Sequence, residues 1–187
     1  MGYLEVICGS MFSGKSEELI RRVRRWMIAK KRVLVFKPSI DTRYGTNVTS
    51  HDGNNVEAQM VLGEYPAVIL NMAIEQQAQV VAIDEAQFFS AELLEIIDEL
   101  IKRDVRVICA GLDMDFARRP FGIMPTLMAV ADEVTKLKAI CQVCGEPATF
   151  NQRLIDGRPA SRKDPIIVVG GRETYEARCR KCHVLPD

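Results

Sequence analysis

The chain has 187 residues, of which 48% are hydrophobic, and its 25 Lys and Arg residues balance 25 Asp and Glu residues to a formal net charge of zero. This length suits one globular domain with a sizeable core, and a neutral chain has no overall attraction for nucleic acid or an anionic membrane surface. No apolar run approaches the roughly 20 residues that span a bilayer, and no secretion signal precedes the first predicted strand. We therefore expect a cytoplasmic protein with neither nucleic acid nor a membrane as its partner.

The first predicted elements are a strand, a glycine-containing loop and a helix. Residues 4–8 form a short apolar run, and from residue 16 onward apolar residues recur at helical spacing. The loop between them fits G-x-x-x-x-G-K-[ST] in the strand-to-helix context that this pattern requires. Its eight residues are Gly9, Ser10, Met11, Phe12, Ser13, Gly14, Lys15 and Ser16.

This loop predicts a binding site for the phosphates of a nucleotide. Its glycines let successive backbone N–H groups, together with the N-terminus of the helix, surround phosphate oxygens. We expect Lys15 to reach the β- and γ-phosphates and the Ser16 hydroxyl to ligate Mg²⁺. The helix is predicted to present to solvent a run of arginines, namely Arg21, Arg22, Arg24 and Arg25.

The elements that follow predict an α/β fold. Residues 33–36 form a second apolar strand, residues 41–55 are predicted to form a long loop, and residues 66–77 a helix. A strand at 80–83, a helix at 91–102 and a strand at 105–110 continue the alternation, which is typical of a doubly wound, mostly parallel sheet. After residue 140 the composition changes to paired cysteines, Gly, Pro and charge. We predict a nucleotide-binding domain at residues 1–139 and a smaller domain at residues 140–187.

Two adjacent acids follow the strand at 80–83. Ligands of open α/β sheets bind at the carboxyl ends of the strands, so Asp84 has the position of an aspartate that holds Mg²⁺ directly or through water. Glu85 points in a different direction and is a candidate general base for the hydroxyl or water that attacks the γ-phosphorus. The alternative is a solvent-facing pair of acids, which the upstream phosphate loop disfavours.

The cysteines predict a structural zinc site. Two C-x-x-C pairs supply four thiolates, which complete a tetrahedral Zn²⁺ shell and leave no open position; the predicted ligands are Cys141, Cys144, Cys179 and Cys182. His183 follows Cys182 and is an alternative fourth ligand, although the matching spacing favours Cys182. Cys8 and Cys109 fall in predicted strands and are interpreted as small buried apolar side chains.

Several motifs in the same order resemble one family, the thymidine kinases of the bacterial and human cytosolic type. The similarity covers nearly the whole chain. It is carried by residues 9–16, 41–44, 84–89, 110–113 and 119–122, by both cysteine pairs, and by residues 169–171 with Tyr175. The resemblance implies a RecA-like nucleotide-binding domain and a zinc-ribbon-like domain whose lasso loop closes over the nucleoside.

The resemblance also implies roles for individual residues. Glu85 would be the base for the 5′-hydroxyl of thymidine, Arg43 and Lys15 would neutralise charge on the transferring phosphoryl group, Asp41 would orient metal or phosphates, and Gln87 would contact the nucleotide. The implied nucleoside-binding residues are Phe88, Leu112, Phe116, Phe121, Asn151, Ile166, Val168, Val169, Gly170 and Tyr175.

Two residues depart from the family pattern, and further properties follow from the family alone. Ser10 stands where many relatives carry Pro, and Asn151 stands where Thr is common. The family implies ATP, Mg²⁺ and structural Zn²⁺ as cofactors, thymidine as substrate, feedback inhibition by dTTP and a homotetramer.

Two alternative functions stay open at the level of sequence. A nucleoside monophosphate kinase can carry paired C-x-x-C knuckles in its lid, but such lids lie mid-chain. A RecA-like ATPase could use Glu85 to activate water and its zinc knuckles to contact a polynucleotide, which the neutral charge disfavours.

Overall fold

The computed structural model describes residues 1–39, 47–49, 53–166 and 173–187. The helices in these ranges are α1 (Lys15–Ile28), α2 (Ala67–Glu75), α3 (Glu92–Lys102) and α4 (Met124–Val130), with a short 3-10 helix at Ala86–Phe88. The strands are β1 (Tyr3–Gly9), β2 (Val33–Pro38), β3 (Asn47–Thr49), β4 (Asn55–Glu57), β5 (Gln59–Val61), β6 (Val80–Ile83), β7 (Arg106–Gly111), β8 (Glu133–Leu137), β9 (Ala139–Ile140), β10 (Pro147–Ala148), β11 (Phe150–Ile155), β12 (Arg158–Pro159) and β13 (Glu173–Arg178). None of these described helices combines the length and apolarity needed to cross a bilayer.

A parallel sheet forms the centre of the fold. Within the described part of the chain it has six strands in the order β5-β2-β6-β7-β1-β8, and each neighbouring pair is parallel. The central strands β1, β6 and β7 consist almost entirely of buried residues, as expected for strands covered on both faces. The predicted α/β fold class is confirmed.

Two apolar layers cover the sheet. On one face, α2, α3 and α4 pack through buried side chains such as Ile69, Leu93 and Leu127. On the other face, α1 packs through Leu19, Ile20 and Val23, as its apolar spacing predicts, and the β3–β4 hairpin adds Val48 and Val56. Because the helices cover both faces, we expect a polar ligand-binding site at the carboxyl ends of the parallel strands.

The arginine run of α1 is solvent-exposed at Arg21, Arg24 and Arg25, but the prediction is wrong for Arg22. The Arg22 guanidinium is only 11% exposed because it bonds Glu18 one turn earlier at 2.7 Å and Glu5 of β1 at 2.5 Å. Arg106, at the start of β7, also pairs with Glu5. Strand β1 therefore carries a buried carboxylate that two cations neutralise.

The region between β2 and α2 also differs from the sequence prediction. Residues 41–55 were expected to be a loop, but Asn47–Thr49 pairs antiparallel with Asn55–Glu57. The short strand Gln59–Val61 then joins the edge of the main sheet beside β2. Periodicity cannot reveal three-residue strands of this kind, because each offers only one buried side chain.

The C-terminal residues form small antiparallel sheets. Strand β11 pairs with β12 and β13, and β9 pairs with β10. Only small buried side chains fill the space beside the cysteines, namely Ala139, Ala148 and Ala177. The boundary predicted between residues 139 and 140 coincides with β9 and stays a prediction.

Candidate active site

The glycine loop joins β1 to α1, as the sequence predicts. Strand β1 ends at Gly9, and α1 begins at Lys15 with Gly14 as its N-cap. The cap makes no side-chain hydrogen bond, so the first N–H groups of the helix are not satisfied by a capping side chain. Such N–H groups, at the positive end of the helix dipole, suit phosphate oxygens.

Lys15, Ser16 and Asp84 lie together at this end of the sheet. The Ser16 hydroxyl donates to Asp84 Oδ2 at 3.5 Å, and Asp84 is 6% exposed. Burial lowers the pKa of Lys15, an effect that the carboxylates of Glu85 and Asp84 oppose. A hydroxyl and a carboxylate are oxygen ligands of the kind Mg²⁺ prefers, so the predicted magnesium pair fits the geometry.

The two motifs meet although their strands are not neighbours. Strand β7 lies between β1 and β6, so the acids after β6 approach the glycine loop across one intervening strand. The Lys15 ammonium donates to the carbonyl oxygen of Ser10 at 2.8 Å and so caps the loop. The acids therefore lie close to Lys15 and Ser16, as expected, because these side chains extend across the carboxyl end of β7.

Glu85 has a strained backbone and an oriented carboxylate. Its φ of 50° and ψ of 43° place it in the left-handed region, which non-glycine residues seldom adopt. The Gln87 amide donates to Glu85 Oε2 at 2.5 Å and accepts the N–H of Leu112 at 3.0 Å. Gln87 thereby links the carboxylate of Glu85 to the end of β7.

Close packing against glycines holds the segment that carries Glu85 and Gln87. A Cβ at Gly111 would lie 2.6 Å from Gln87 Oε1, and a Cβ at Gly122 would lie 2.2 Å from the carbonyl oxygen of Gln87. Gly122 also has a φ of 53°. At Gly122, where the close contact is with the backbone of Gln87, only a residue without a side chain allows this approach, so the backbone position of Gln87 is closely constrained.

The four predicted zinc ligands also converge. The sulfur atoms of Cys141, Cys144, Cys179 and Cys182 all lie within 4.8 Å of one another. Zn–S bonds of about 2.3 Å in a tetrahedron place sulfurs about 3.8 Å apart, so the residues present fit the metal. With four protein thiolates the site is closed, and a bound zinc would tie β9 and β10 to the end of β13.

His183 is occupied by other contacts. Its Nδ1 accepts from Arg118 Nε at 3.0 Å, and its Nε2 lies 3.0 Å from the carbonyl oxygen of Phe116. An accepting Nδ1 requires the proton of a neutral ring to be on Nε2. Burial, together with the nearby Arg118 charge, lowers the pKa of His183, which favours the neutral ring. Of the two alternatives left by the sequence, the geometry favours Cys182 as the fourth ligand.

Comparisons with known proteins agree with this combination of sites. A family model described as thymidine kinase matches residues 2–183. The chain belongs to the thymidine kinase family. A thymidine kinase of Coprothermobacter proteolyticus is similar to it, with 60% identity over 186 residues that cover 99% of this chain and 92% of the relative.

Several of the residues that the family likeness assigns to nucleoside binding make aromatic or apolar contacts in the structure. Phe88 and Phe121 meet edge to face with ring centroids 5.5 Å apart. Phe116 is buried in a cluster against which Tyr175 packs. Leu112 is bound through its N–H to Gln87, and Ile166 is 39% exposed. The structure therefore places apolar side chains around the segment that follows β7, and their contact with thymidine stays a prediction.

Several residues named from the thymidine kinase likeness cannot be compared with the structure. Asp41, Arg43, Val168, Val169 and Gly170 lie outside the described residues. Asn151 is described and is 2% exposed, with both ends of its amide bound to backbone groups. Its contact with the base, like the contact of Gln87 with the nucleotide, stays a prediction.

The sequence did not assign a role to Asp113. Its carboxylate is 4% exposed and pairs at 2.7 Å with Lys136, which β8 places beside β1. Burial, with a further contribution from the Asp113 charge, raises the pKa of Cys8 to about 11, and burial raises that of Cys109 to about 12. Both thiols are therefore buried and un-ionised, as predicted, and Asp113 extends the charged cluster around Lys15.

Proposed function

We propose that this protein transfers the γ-phosphoryl group of MgATP to the 5′-hydroxyl of thymidine, giving dTMP and ADP. The observation that carries the proposal is the approach of Ser16 to Asp84 within 3.5 Å, with Glu85 as the next residue, in a chain of the thymidine kinase family. Metal ligands, a phosphate-binding lysine and a carboxylate base are the groups that phosphoryl transfer requires at one place.

In the proposed reaction each group has a defined task. The loop N–H groups and Lys15 bind the phosphates, while Ser16 and Asp84 would hold Mg²⁺, which would neutralise charge on the triphosphate. Glu85 accepts the proton of the 5′-hydroxyl as the new bond between that oxygen and the γ-phosphorus forms. The bond from the γ-phosphorus to the bridging oxygen breaks, and ADP leaves. Arg43 supplies a second cation for the transferring group.

Acceptor binding is assigned to Phe88 after β6, to the segment after β7 and to residues 140–187, here called the C-terminal unit. From the family likeness we infer that Phe88, Leu112, Phe116 and Phe121 provide apolar surface for the nucleoside, and that Tyr175, Ile166 and residues 168–170 contact it. A zinc ion bound at the four cysteines would hold β9 and β10 to the end of β13. Apolar side chains of this kind would suit the faces of a flat, uncharged pyrimidine base.

Regulation and assembly are proposed from the family alone. The enzyme acts as a cytoplasmic homotetramer, and dTTP, the end product of thymidine salvage, inhibits it. A triphosphate whose nucleoside is thymidine resembles both substrates, since it carries the acceptor base and the donor phosphates in one molecule.

A competition between acceptors tests the proposed function. Purified protein with MgATP is offered thymidine, dTMP or AMP, and ADP release and the phosphorylated product are measured by chromatography. We expect product from thymidine, without stimulation by single-stranded DNA. Product only from a monophosphate would identify a monophosphate kinase, and DNA-stimulated ATP hydrolysis without nucleoside phosphorylation would identify a nucleic-acid-dependent ATPase. Either result would contradict the proposal.

A further inference from the structure

A side chain of the C-terminal unit holds the phosphate loop. Asn151 lies in β11, 140 positions after Met11 in the sequence. Its Oδ1 accepts the N–H of Met11 at 2.7 Å, and its Nδ2 donates to the carbonyl oxygen of Met114 at 2.8 Å. One buried amide therefore joins the phosphate loop, strand β11 and the segment that follows β7.

The partners of this amide determine its orientation. A backbone N–H can only donate and a backbone carbonyl can only accept, so Oδ1 must face Met11 and Nδ2 must face Met114. A side chain of similar shape without the amide would leave both backbone groups without these partners. Both bonds are partly buried, where an unpaired backbone group is costly, so the contact specifies the position of each segment.

A second contact ties the neighbouring loop residue to the same unit. The Ser10 hydroxyl donates to the carbonyl oxygen of Ala148 in β10 at 3.3 Å, and both residues are fully buried. A side chain without a hydroxyl at position 10 could not donate this bond, and one without an amide at position 151 could not make both of the bonds of Asn151. The two contacts therefore depend on the hydroxyl of Ser10 and the amide of Asn151.

The anchored residues immediately precede the strained part of the loop. Phe12 has a φ of 63°, in the left-handed region that a non-glycine residue keeps only when its surroundings hold it there. The carbonyl oxygen of Ser10 also accepts the bond from the Lys15 ammonium. Anchoring residues 10 and 11 thus constrains both the turn at Phe12 and the position of Lys15.

We propose that Asn151, assisted by Ser10, is a positioning residue that holds the phosphate loop in its nucleotide-binding conformation from the C-terminal unit. Asn151 acts through Met11 and Met114 without touching the nucleotide. The inference deepens the proposed function because it makes nucleotide affinity depend on the unit that carries the zinc cysteines. It concerns nucleotide binding, so it can be tested whether or not thymidine is the acceptor.

The test compares Asn151→Leu with a matched control in the same strand. Gln152 is 1% exposed, and its amide accepts the N–H of Val184 at 2.8 Å and donates to the carbonyl oxygen of Val184 at 3.0 Å. Gln152→Met therefore removes an equivalent buried amide that holds the C-terminal tail instead of the loop. For each variant, the affinity for MgADP is measured by calorimetry and the exchange of the Met11 amide proton by NMR.

We expect Asn151→Leu to bind MgADP about tenfold more weakly than the wild type, equivalent to ~1.4 kcal/mol, and to exchange its Met11 amide proton faster. Gln152→Met should lower the unfolding temperature while leaving both properties unchanged. Ser10→Ala should weaken MgADP by about two- to threefold, since it loses one neutral hydrogen bond.

Equal loss of MgADP affinity in Asn151→Leu and Gln152→Met would overturn the inference, because it would show a general effect of destabilisation. Wild-type affinity in Asn151→Leu would overturn it as well. If that variant does not fold, Asn151→Ala, which can neither accept from Met11 nor donate to Met114, replaces it: faster Met11 exchange with weaker MgADP binding supports the inference, and wild-type values of both refute it. Thymidine phosphorylation is assayed separately, so its absence would count against the proposed function alone.

Discussion

Replacing Gln87 by methionine tests whether its amide orients the carboxylate of Glu85, the proposed general base. The change keeps an unbranched side chain of similar length but removes the donor to Glu85 Oε2, 2.5 Å away, and the acceptor for the N–H of Leu112, 3.0 Å away. A hydrogen bond to a charged group contributes about 1.5–3 kcal/mol, and an orphaned buried N–H costs about 1–3 kcal/mol. The two contributions sum to about 2.5–6 kcal/mol, and because both bonds are only partly buried we expect the free energy of unfolding to fall by about 2–4 kcal/mol.

The same change should slow the chemical step. Gln87→Met removes one hydrogen bond that orients the Glu85 carboxylate towards the proposed acceptor hydroxyl, and each ~1.4 kcal/mol added to the barrier lowers the rate tenfold. We expect kcat for thymidine to fall by about tenfold to a hundredfold, with little change in the dissociation constant of MgADP. Steady-state kinetics, calorimetry and urea unfolding measure the three quantities.

Gln152→Met is the control, because it removes another buried glutamine amide whose bonds go to Val184. It should lower stability and leave kcat unchanged. Wild-type kcat in Gln87→Met, with weakened MgADP binding, would refute the orienting role and support the nucleotide contact predicted from sequence. Equal losses of kcat in the two variants would refute it too.

Three further outcomes are expected. Glu85→Gln should lower kcat by a factor on the order of 10² while MgADP still binds, because the amide cannot accept the proton. A glutamine at the exposed Glu92 is the control, and near-normal turnover in Glu85→Gln would remove Glu85 from its role. Cys179→Ser should abolish stoichiometric zinc, measured by plasma mass spectrometry, and full retention would refute the ligand set. Hydrogen bonds, first from Arg21 and also from Arg22, lower the pKa of Glu18 from 4.5 to about 2, so its stabilisation is present above pH 4.5 and lost as pH falls towards 2. The stability difference between wild type and Glu18→Gln, measured by urea unfolding, should therefore shrink from about pH 7 to about pH 3, and a constant difference would contradict the assignment.

The parts of the site that could be predicted from sequence are those with local signals. Lys15 and Ser16 belong to a contiguous motif between a strand and a helix, and Asp84 follows a continuous apolar run. That these three residues lie close together could be inferred because the carboxyl ends of parallel strands lie at the same end of a sheet. The cysteine pairs carry their own spacing, so the four ligands could be named without a structure.

The remaining features depend on contacts that sequence does not encode locally. Strand β8 was missed because Glu133–Leu137 lies at the sheet edge and is only partly buried, so it has no continuous apolar run. The bond from Met11 to Asn151 joins residues 140 positions apart, and nothing in either neighbourhood indicates the other. The pairing of Arg22 with Glu5 was missed for the same reason, since helical spacing alone places Arg22 beside its exposed neighbours.

The position of β7 between β1 and β6 has a consequence for how the protein is made. Strand β1 is synthesised first, but its neighbours in the sheet are β7 and β8. Tyr3 can therefore pair with its partner strand only after Arg106 has been synthesised. Pairing over such sequence separation is entropically slow. On the ribosome, the loop at Lys15 and the acids after β6 would therefore come together only after Gly111 has emerged, and a nascent chain that stops before β7 would have no assembled nucleotide site.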